Sequence, residues 1–404
     1  MTRKDRLNEF AIYAISFISM ASAAINPALA MIAKSFPELS TTQIQMIITI
    51  PSFAMMLTSF ASPPLLKRLS LKTLYLLNLV VVLVFSTVPF FCNNFTLIVV
   101  LRSFAGFSFS FMQILLTVTI TTWFPVSRQG HLMGGRTIAT SAGAIIISYF
   151  GGVISDIDWH YTFLLFLSVA PIILITWLFL YKMPPQKAET PKKSDTGTVQ
   201  TIPRKKVFLD MITVFICMSA VAFLMFLQSY NTNIALMVDA ENFGTATDSG
   251  VSVAIFNASG IICGMLMPTM QKKLKGRALF VTFLTGMLGT LLIGLSSSIY
   301  MVHVGSFFAG FSLMALLGFV PLDVTGTLVT KETYSYAVSL MAITVSFSGF
   351  ITPYVVIPIA NIFNAGSVRT RFIISGIMIL IIAIAYETIR QLKYRKHYTF
   401  YSDI

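Results

Sequence analysis

Phe104-Ala105-Gly106-Phe107-Ser108 returns in the same order as Phe308-Ala309-Gly310-Phe311-Ser312, 204 residues further along a chain of 404. Each copy falls in the fourth apolar run of its half, and at the same offset Pro64 answers Pro268, each followed by a basic turn. The chain therefore reads as one unit written twice. A repeat of this length, carried by long apolar segments, is the pattern on which two-bundle secondary transporters are built.

Hydrophobic residues make up 56% of the chain and charged ones 11%, whereas a soluble globular domain carries roughly 25% charged residues. The composition excludes a soluble globule and points to a bilayer. Crossing about 30 Å of hydrocarbon takes about 20 apolar residues, since each rises about 1.5 Å in a helix. Twelve segments are expected to do so: 10–32, 42–62, 73–92, 96–118, 131–153, 161–182, 207–229, 248–270, 278–297, 299–322, 336–360 and 370–388. Their lengths and lack of strict alternation argue against a β-barrel. The expected fold class is an all-α membrane protein of twelve transmembrane helices in two pseudo-symmetric six-helix bundles. Residues 1–182 form the first bundle, 183–206 a linker, and 207–404 the second bundle with a short cytoplasmic tail. Arg3, Lys4 and Arg6 imitate the charged front of a signal peptide. The apolar stretch behind them is too long, and no small-residue cleavage pattern closes it, so it is expected to stay as the first helix. Cys92, Cys217 and Cys263 fall inside expected spans as free thiols, with no disulfide framework and no metal spacing.

Counting alternate loops from a cytoplasmic amino terminus assigns 24 of the 28 Lys and Arg to the cytoplasmic side, with Lys34, Arg369 and Arg371 on the other face and Arg102 within a span. Arg128, Arg136 and Lys331 are among the 24. This bias places both termini in the cytoplasm of a multi-pass protein of the cell (cytoplasmic) membrane. It also accounts for the net charge of +13 without nucleic acid, because the charges are scattered over short loops. Residues 183–206, with Pro184, Pro185, Pro191, Lys192, Lys193 and Asp195, hold too little apolar surface to fold alone and read as a flexible strap.

Several short motifs then meet a known family. Trp123, Phe124, Pro125, Arg128, Gly130 and Gly134 are similar to the W-F-P-x-x-x-R-x-G loop of the major facilitator superfamily, with slightly different spacing. Trp159, His160, Tyr161 and Phe163 resemble its W-R-x-x-F pattern with His in place of Arg, and Arg102 with Ala105 and Gly106 resembles its fourth-helix R-x-x-Q-G. The family loop G-x-L-x-D-R-x-G-R-K is represented by residues 63–72, without its acidic residue. In the fifth segment Gly143, Gly151 and Gly152 remain of the antiporter pattern, with Ile147 and Ser148 replacing its Gly-Pro pair, and read as packing points. The resemblance covers nearly the whole chain and implies that the first, fourth, seventh and tenth helices line a central cavity.

On those four helices Asn26, Arg102, Gln228, Tyr230, Asn231, His303 and Ser306 fall in the outer half, about 8 to 15 Å from the midplane at about 1.5 Å per residue, with Gln113 on the inner side. These eight are the expected substrate-binding or coupling residues. Arg102 leads them, because a lone guanidinium within a span costs about 2.5–3.5 kcal/mol and no acidic residue of the first half lies within a span to pair with it. Asp210 sits near a helix start, where the dipole favours an anion, and Asp323 near a helix end, where it does not. Asp323 is therefore expected to form an inner gate with Arg128 or Arg136.

The sequence has no phosphate-binding glycine loop, metal-ligand cluster or nucleophile elbow, so neither an enzyme nor a pump driven by ATP is expected, and no cofactor or metal. The expected function is a monomeric secondary transporter that moves a small organic solute by alternating access. A cavity with Arg102 and no deep carboxylate favours an organic anion or a neutral amphipathic molecule over a cationic drug. The resemblance implies protons as coupling ion, and exchange stays open. The alternatives are a multidrug exporter and, from another class, a membrane sensor that binds without transport.

Overall fold

The computed structural model describes residues 3–180, 211–327, 331–363 and 366–393, all helical or in short connections. In the first half the α-helices are α1 (Arg3–Ile18), α2 (Leu29–Ser35), α3 (Thr41–Arg68), α4 (Leu71–Thr87), α5 (Phe95–Trp123), α6 (Val126–Ser155) and α7 (Val169–Phe179). The second half holds α8 (Met211–Leu227), α9 (Ser229–Ala240), α10 (Ala246–Leu274), α11 (Ala278–Gly294), α12 (Ile299–Thr327), α13 (Lys331–Phe363) and α14 (Val368–Lys393). Polar caps start several of them. Ser40 and Gln43 form a reciprocal capping box on α3, and Ser70 and Asn94 accept the free N–H groups at the starts of α4 and α5.

Among the described residues ten stretches are long and apolar enough to cross a membrane, among them Arg6–Ile25, Phe95–Ile120, His131–Ser155, Val214–Ala240 and Ile299–Val320. Two of the twelve expected segments fall outside that set. At 17 residues α11 is apolar but short. At 28 residues α3 is long enough, and the side chains of its residues 59–64 and 67 fall outside the described residues, so it is not counted among the ten. Two expected segments are also not single helices. The first breaks into α1, a 3-10 turn over Ala21–Ile25 and α2, with Pro27, which has no N–H to give, at the joint. The seventh bends at Gln228, between α8 and α9. Pro353 and Pro358, by contrast, sit inside an uninterrupted α13.

The repeated pentapeptide marks the same contact twice. A Cβ added at Gly106 would stand 2.5 Å from Pro51 Cα, and one added at Gly310 would stand 2.1 Å from Phe256 O. Positions 51 and 256 are themselves 205 apart, so each glycine lets its helix press on the backbone of the corresponding neighbour. The final serine repeats too. Asn78 Nδ2 donates to Ser108 O at 3.0 Å, and Ser312 Oγ donates to Thr282 O at 2.9 Å.

Buried apolar side chains gather in two clusters, one built almost wholly from residues 11–180 and one from residues 216–386. Between them α3 packs on α13 and α6 packs on α10, the two arrangements that a two-fold relation between repeats would exchange. The α6–α10 crossing is close. A Cβ on Gly250 would lie 2.8 Å from Ser148 O and 3.1 Å from Gly152 Cα. On α6, Gly143 and Gly151 also press on the first helix, against Phe17 O and Ala24 O. Large apolar side chains left exposed, such as Leu77, Trp177, Met265 and Ile362, cover the outside of the molecule, as a lipid-facing surface requires.

Candidate functional site

Taking the face on which α1 begins as proximal, chain direction puts the ends near Ser35, Ser155, Ala240 and Ala246 on the distal face. Every described hydrogen bond between the two halves lies toward that distal face. Lys34 pairs with Asp239, and Asn26 Nδ2 donates to Asn231 Oδ1 at 3.3 Å. Both pairs join residues 205 apart, one more than the offset of the pentapeptide, so nearly equivalent positions of the two repeats meet each other. Deeper in, Gln45 Nε2 donates to Thr232 O at 3.0 Å and to Asn233 Oδ1 at 2.8 Å, and Arg371 Nη1 donates to the same Asn233 oxygen at 2.9 Å.

Asp156 supplies the densest cross-link. Its carboxylate, just past the end of α6, accepts from Thr245 Oγ1 at 2.7 Å, Ala246 N at 2.8 Å, Thr247 N at 3.0 Å and Thr247 Oγ1 at 2.5 Å. A residue of the first half thus caps α10 of the second, where free N–H groups and the helix dipole favour a negative charge. Burial pushes the Asp156 carboxyl up, but the hydrogen bonds from Thr247, Thr245 and Ala246 outweigh it and leave it below the ordinary carboxylate value. Nearby, the Arg369 guanidinium bonded to Glu241 at 2.6 Å holds that carboxyl below its ordinary value.

The outer-half residues read from the sequence are only partly brought together. Asn26, Asn231 and Gln228 form one chain, since Asn231 Nδ2 donates onward to Gln228 Oε1 at 2.7 Å. Tyr230 is fully buried and stacks on Phe256 with centroids 4.4 Å apart. Ser306 turns back on its own helix, donating to Val302 O at 2.8 Å. His303 Nδ1 lies 3.0 Å from Ser252 Oγ. Arg102 stands apart from all of these at 1% exposure. It donates to Ser22 Oγ at 3.0 Å and to the carbonyls of Ser22 and Ile47 at 3.4 Å, which ties the 3-10 turn of the first helix to α3.

Toward the proximal side a second polar group joins three helices. Arg136 donates to Gln113 Oε1, to Gln113 O at 3.3 Å and to Thr117 Oγ1 at 2.7 Å. Gln113 Nε2 donates to Ser19 Oγ at 3.1 Å, and Ser19 Oγ meets Thr140 Oγ1 at 3.4 Å. Arg136, counted with the cytoplasmic charges although it falls in the expected segment 131–153, belongs to the spanning part of α6. Arg128 pairs with Glu9 at the start of α1, a partner the sequence reading did not find. Asp323 lies on α12, but its side chain falls outside the described residues, as does Asp210 altogether. No group of three or more His, Cys, Asp or Glu that could hold a metal occurs among the described residues. Gln45, Asn233, Arg371 and Asp156 were also missed, and only Lys34 with Asp239 carried a signal, opposite charges one residue from the repeat offset.

Residues 11–353 match the family model described as Major Facilitator Superfamily. The chain belongs to the Major Facilitator Superfamily. No curated protein matches it. Solved structures share its shape at low identity. A bacterial homologue of the human lysosomal transporter Spinster, inward-facing and unoccupied, is 14% identical with a TM-score of 0.77, over 98% of this chain and 99% of that one. The nucleoside transporter NupG is 11% identical with a TM-score of 0.75, over 95% and 99%. A POT family transporter in complex with a thioalcohol-conjugated peptide is 13% identical with a TM-score of 0.72, over 95% and 96%. These likenesses give the superfamily fold its outline here.

Proposed function

We propose that the chain is a secondary transporter, not an enzyme, which moves a small organic solute by alternating access between two six-helix bundles, residues 1–182 and 207–404 joined by 183–206. The observation that supports this reading is the one-sided distribution of hydrogen bonds and ion pairs between the halves among the described residues. Asp156 with Thr245 and Thr247, Lys34 with Asp239, Asn26 with Asn231, and Gln45 with Asn233 all close the distal side. A chamber sealed at one end by polar, reversible contacts is one state of a rocking pair. The Lys and Arg bias makes the proximal face cytoplasmic, so the state is inward-facing, as in the Spinster homologue named above. The twelve crossings include α3 and the shorter, apolar α11.

Asn26, Gln228 and Asn231 line the upper end of the solute path, with His303, Ser306 and Tyr230 packed behind them, and Gln113 lines the lower end. Arg102 fastens the broken first helix to α3 and acts on the solute only through that joint. Asp323 meets Arg128 or Arg136 when the proximal side closes, which would exchange the Arg128–Glu9 pair or the Arg136–Gln113 contacts for an inner gate. The favoured solute is an organic anion or a neutral amphipathic molecule, with protons or exchange as the drive. Uptake into proteoliposomes tests the class. Saturable, time-dependent accumulation of a panel member supports it, while specific binding with no flux for any bound member would make the protein a sensor.

A further inference from the structure

Arg102, Arg136 and Arg371 all lie within membrane-spanning stretches, and they are held in different ways. Arg102 and Arg371 are 1% and 3% exposed, closed in by Ser22 and Ile47 and by Asn233. Arg136 is half-exposed, and its neighbours Thr117 and Thr137 are exposed. Hydroxyl, amide and guanidinium groups bared within a span face water, because hydrocarbon offers them no partner. This side of α5 and α6 therefore lines the aqueous chamber, about 15 Å from the start of α6 at about 1.5 Å per residue.

A guanidinium has five N–H donors. Both donors of Nη2 are engaged by Gln113, and one of Nη1 by Thr117. For the other two the described residues provide only the Met133 sulfur, 4.0 Å from Nη1. Every acceptor is neutral, and no ion pair involving Arg136 occurs among the described residues. Gln113 is itself fixed. Its oxygen must face Arg136, which accepts nothing, and its amide donates to Ser19 on the first helix. The result is a positive charge held by neutral acceptors, with Nε–H and one N–H of Nη1, on different edges of the guanidinium, left to donate.

We infer that Arg136, oriented by Gln113 and Thr117, is the docking point for the single negative charge of an organic monoanion such as a monocarboxylate. This rests on the transport reading above and narrows it. One of the remaining donors can take one carboxylate oxygen, and a single uncompensated cation suits a monoanion over a dianion. The charge lies on the first, fourth and fifth helices, so an anion bound there would neutralise the wall of the chamber before the halves rock.

The test is thermal-shift binding on the full-length protein with benzoate, phenylacetate and hexanoate, each set against its neutral amide, for wild type, Arg136→Gln and Arg136→Lys. At least one carboxylate should stabilise wild type in a saturable way while its amide does not. Arg136→Gln should weaken that carboxylate by tenfold or more, and Arg136→Lys should keep part of the effect. Equal shifts for acid and amide, no shift with any of the three acids, or a carboxylate response that survives Arg136→Gln would each overturn the inference. Proteoliposome flux of non-anionic solutes is read separately, so the docking claim can fail while the transport reading stands.

Discussion

Removing the Asp156 carboxylate should open the distal side. Asp156→Ala deletes four hydrogen bonds that cross from the first half to the start of α10. Asp156 is exposed, so the loss follows helix-capping experience, about 0.5–2 kcal/mol, and not the larger figures for buried charges. At about 1.4 kcal/mol per tenfold change, the distally open population should rise about 2- to 30-fold. Ser148 reports on it. Its side chain is fully buried at the α6–α10 crossing beneath the Asp156 contacts, so a cysteine there is reached only when the crossing parts. With Cys92, Cys217 and Cys263 replaced and Ser148→Cys introduced, the labelling rate by a membrane-impermeant maleimide added from the distal side should rise by that factor. Asp156→Asn, which keeps an acceptor oxygen but no charge, should fall between. An unchanged rate in Asp156→Ala would refute the claim that this carboxylate holds the distal side shut.

Three further outcomes follow from the same contacts. Because the Asp156 carboxyl lies below its ordinary value, its contribution is complete above that value and is lost only as pH falls through the depressed one. In the Ser148→Cys background the ratio of labelling rates, Asp156→Ala to the parent, cancels the pH dependence of the thiolate and should therefore stay constant between about pH 5 and pH 8; a ratio that falls to one near pH 6 would contradict the assignment. Gly106→Val and Gly310→Val should each destabilise the protein by about 1–3 kcal/mol through overpacking, measured as a fall in Tm, with similar size because the two glycines make equivalent contacts. A loss at only one would break the equivalence. Lys34→Asp and Asp239→Lys should each raise distal labelling slightly and the double exchange should restore it, since pairs this exposed contribute about 0–1 kcal/mol.

The sequence made the repeat legible because close packing leaves a local trace. Gly106 and Gly310 must be small where α5 and α12 meet Pro51 and Phe256, so the pentapeptide survives in both halves. The distal pairs were also within reach, since Asn26 with Asn231 and Lys34 with Asp239 stand one residue from the repeat offset. The Asp156 contacts were not, because three of its partners are the hydroxyls and N–H of Thr245 and Thr247, types too common in loops to single out. The arginines were hard to rank for a related reason. Depth in a span shows in the sequence, but burial does not, so nothing there tells the closed-in Arg102 from the half-buried Arg136 of the expected segment 131–153. Helix α3 counted as an ordinary apolar span, although its Gln45 reaches the other half.

Alternating access itself is tested most directly by two distances in one protein. Spin labels at the exposed distal positions Ile157 and Tyr300 and at the exposed proximal positions Arg68 and Arg277 report the two ends of the chamber, and the distances are measured by pulsed electron resonance in wild type and Asp156→Ala. The account predicts a wild type with a short distal and a long proximal distance, and a variant in which a longer distal population grows as a shorter proximal one grows with it. Distal widening with no proximal narrowing would contradict it.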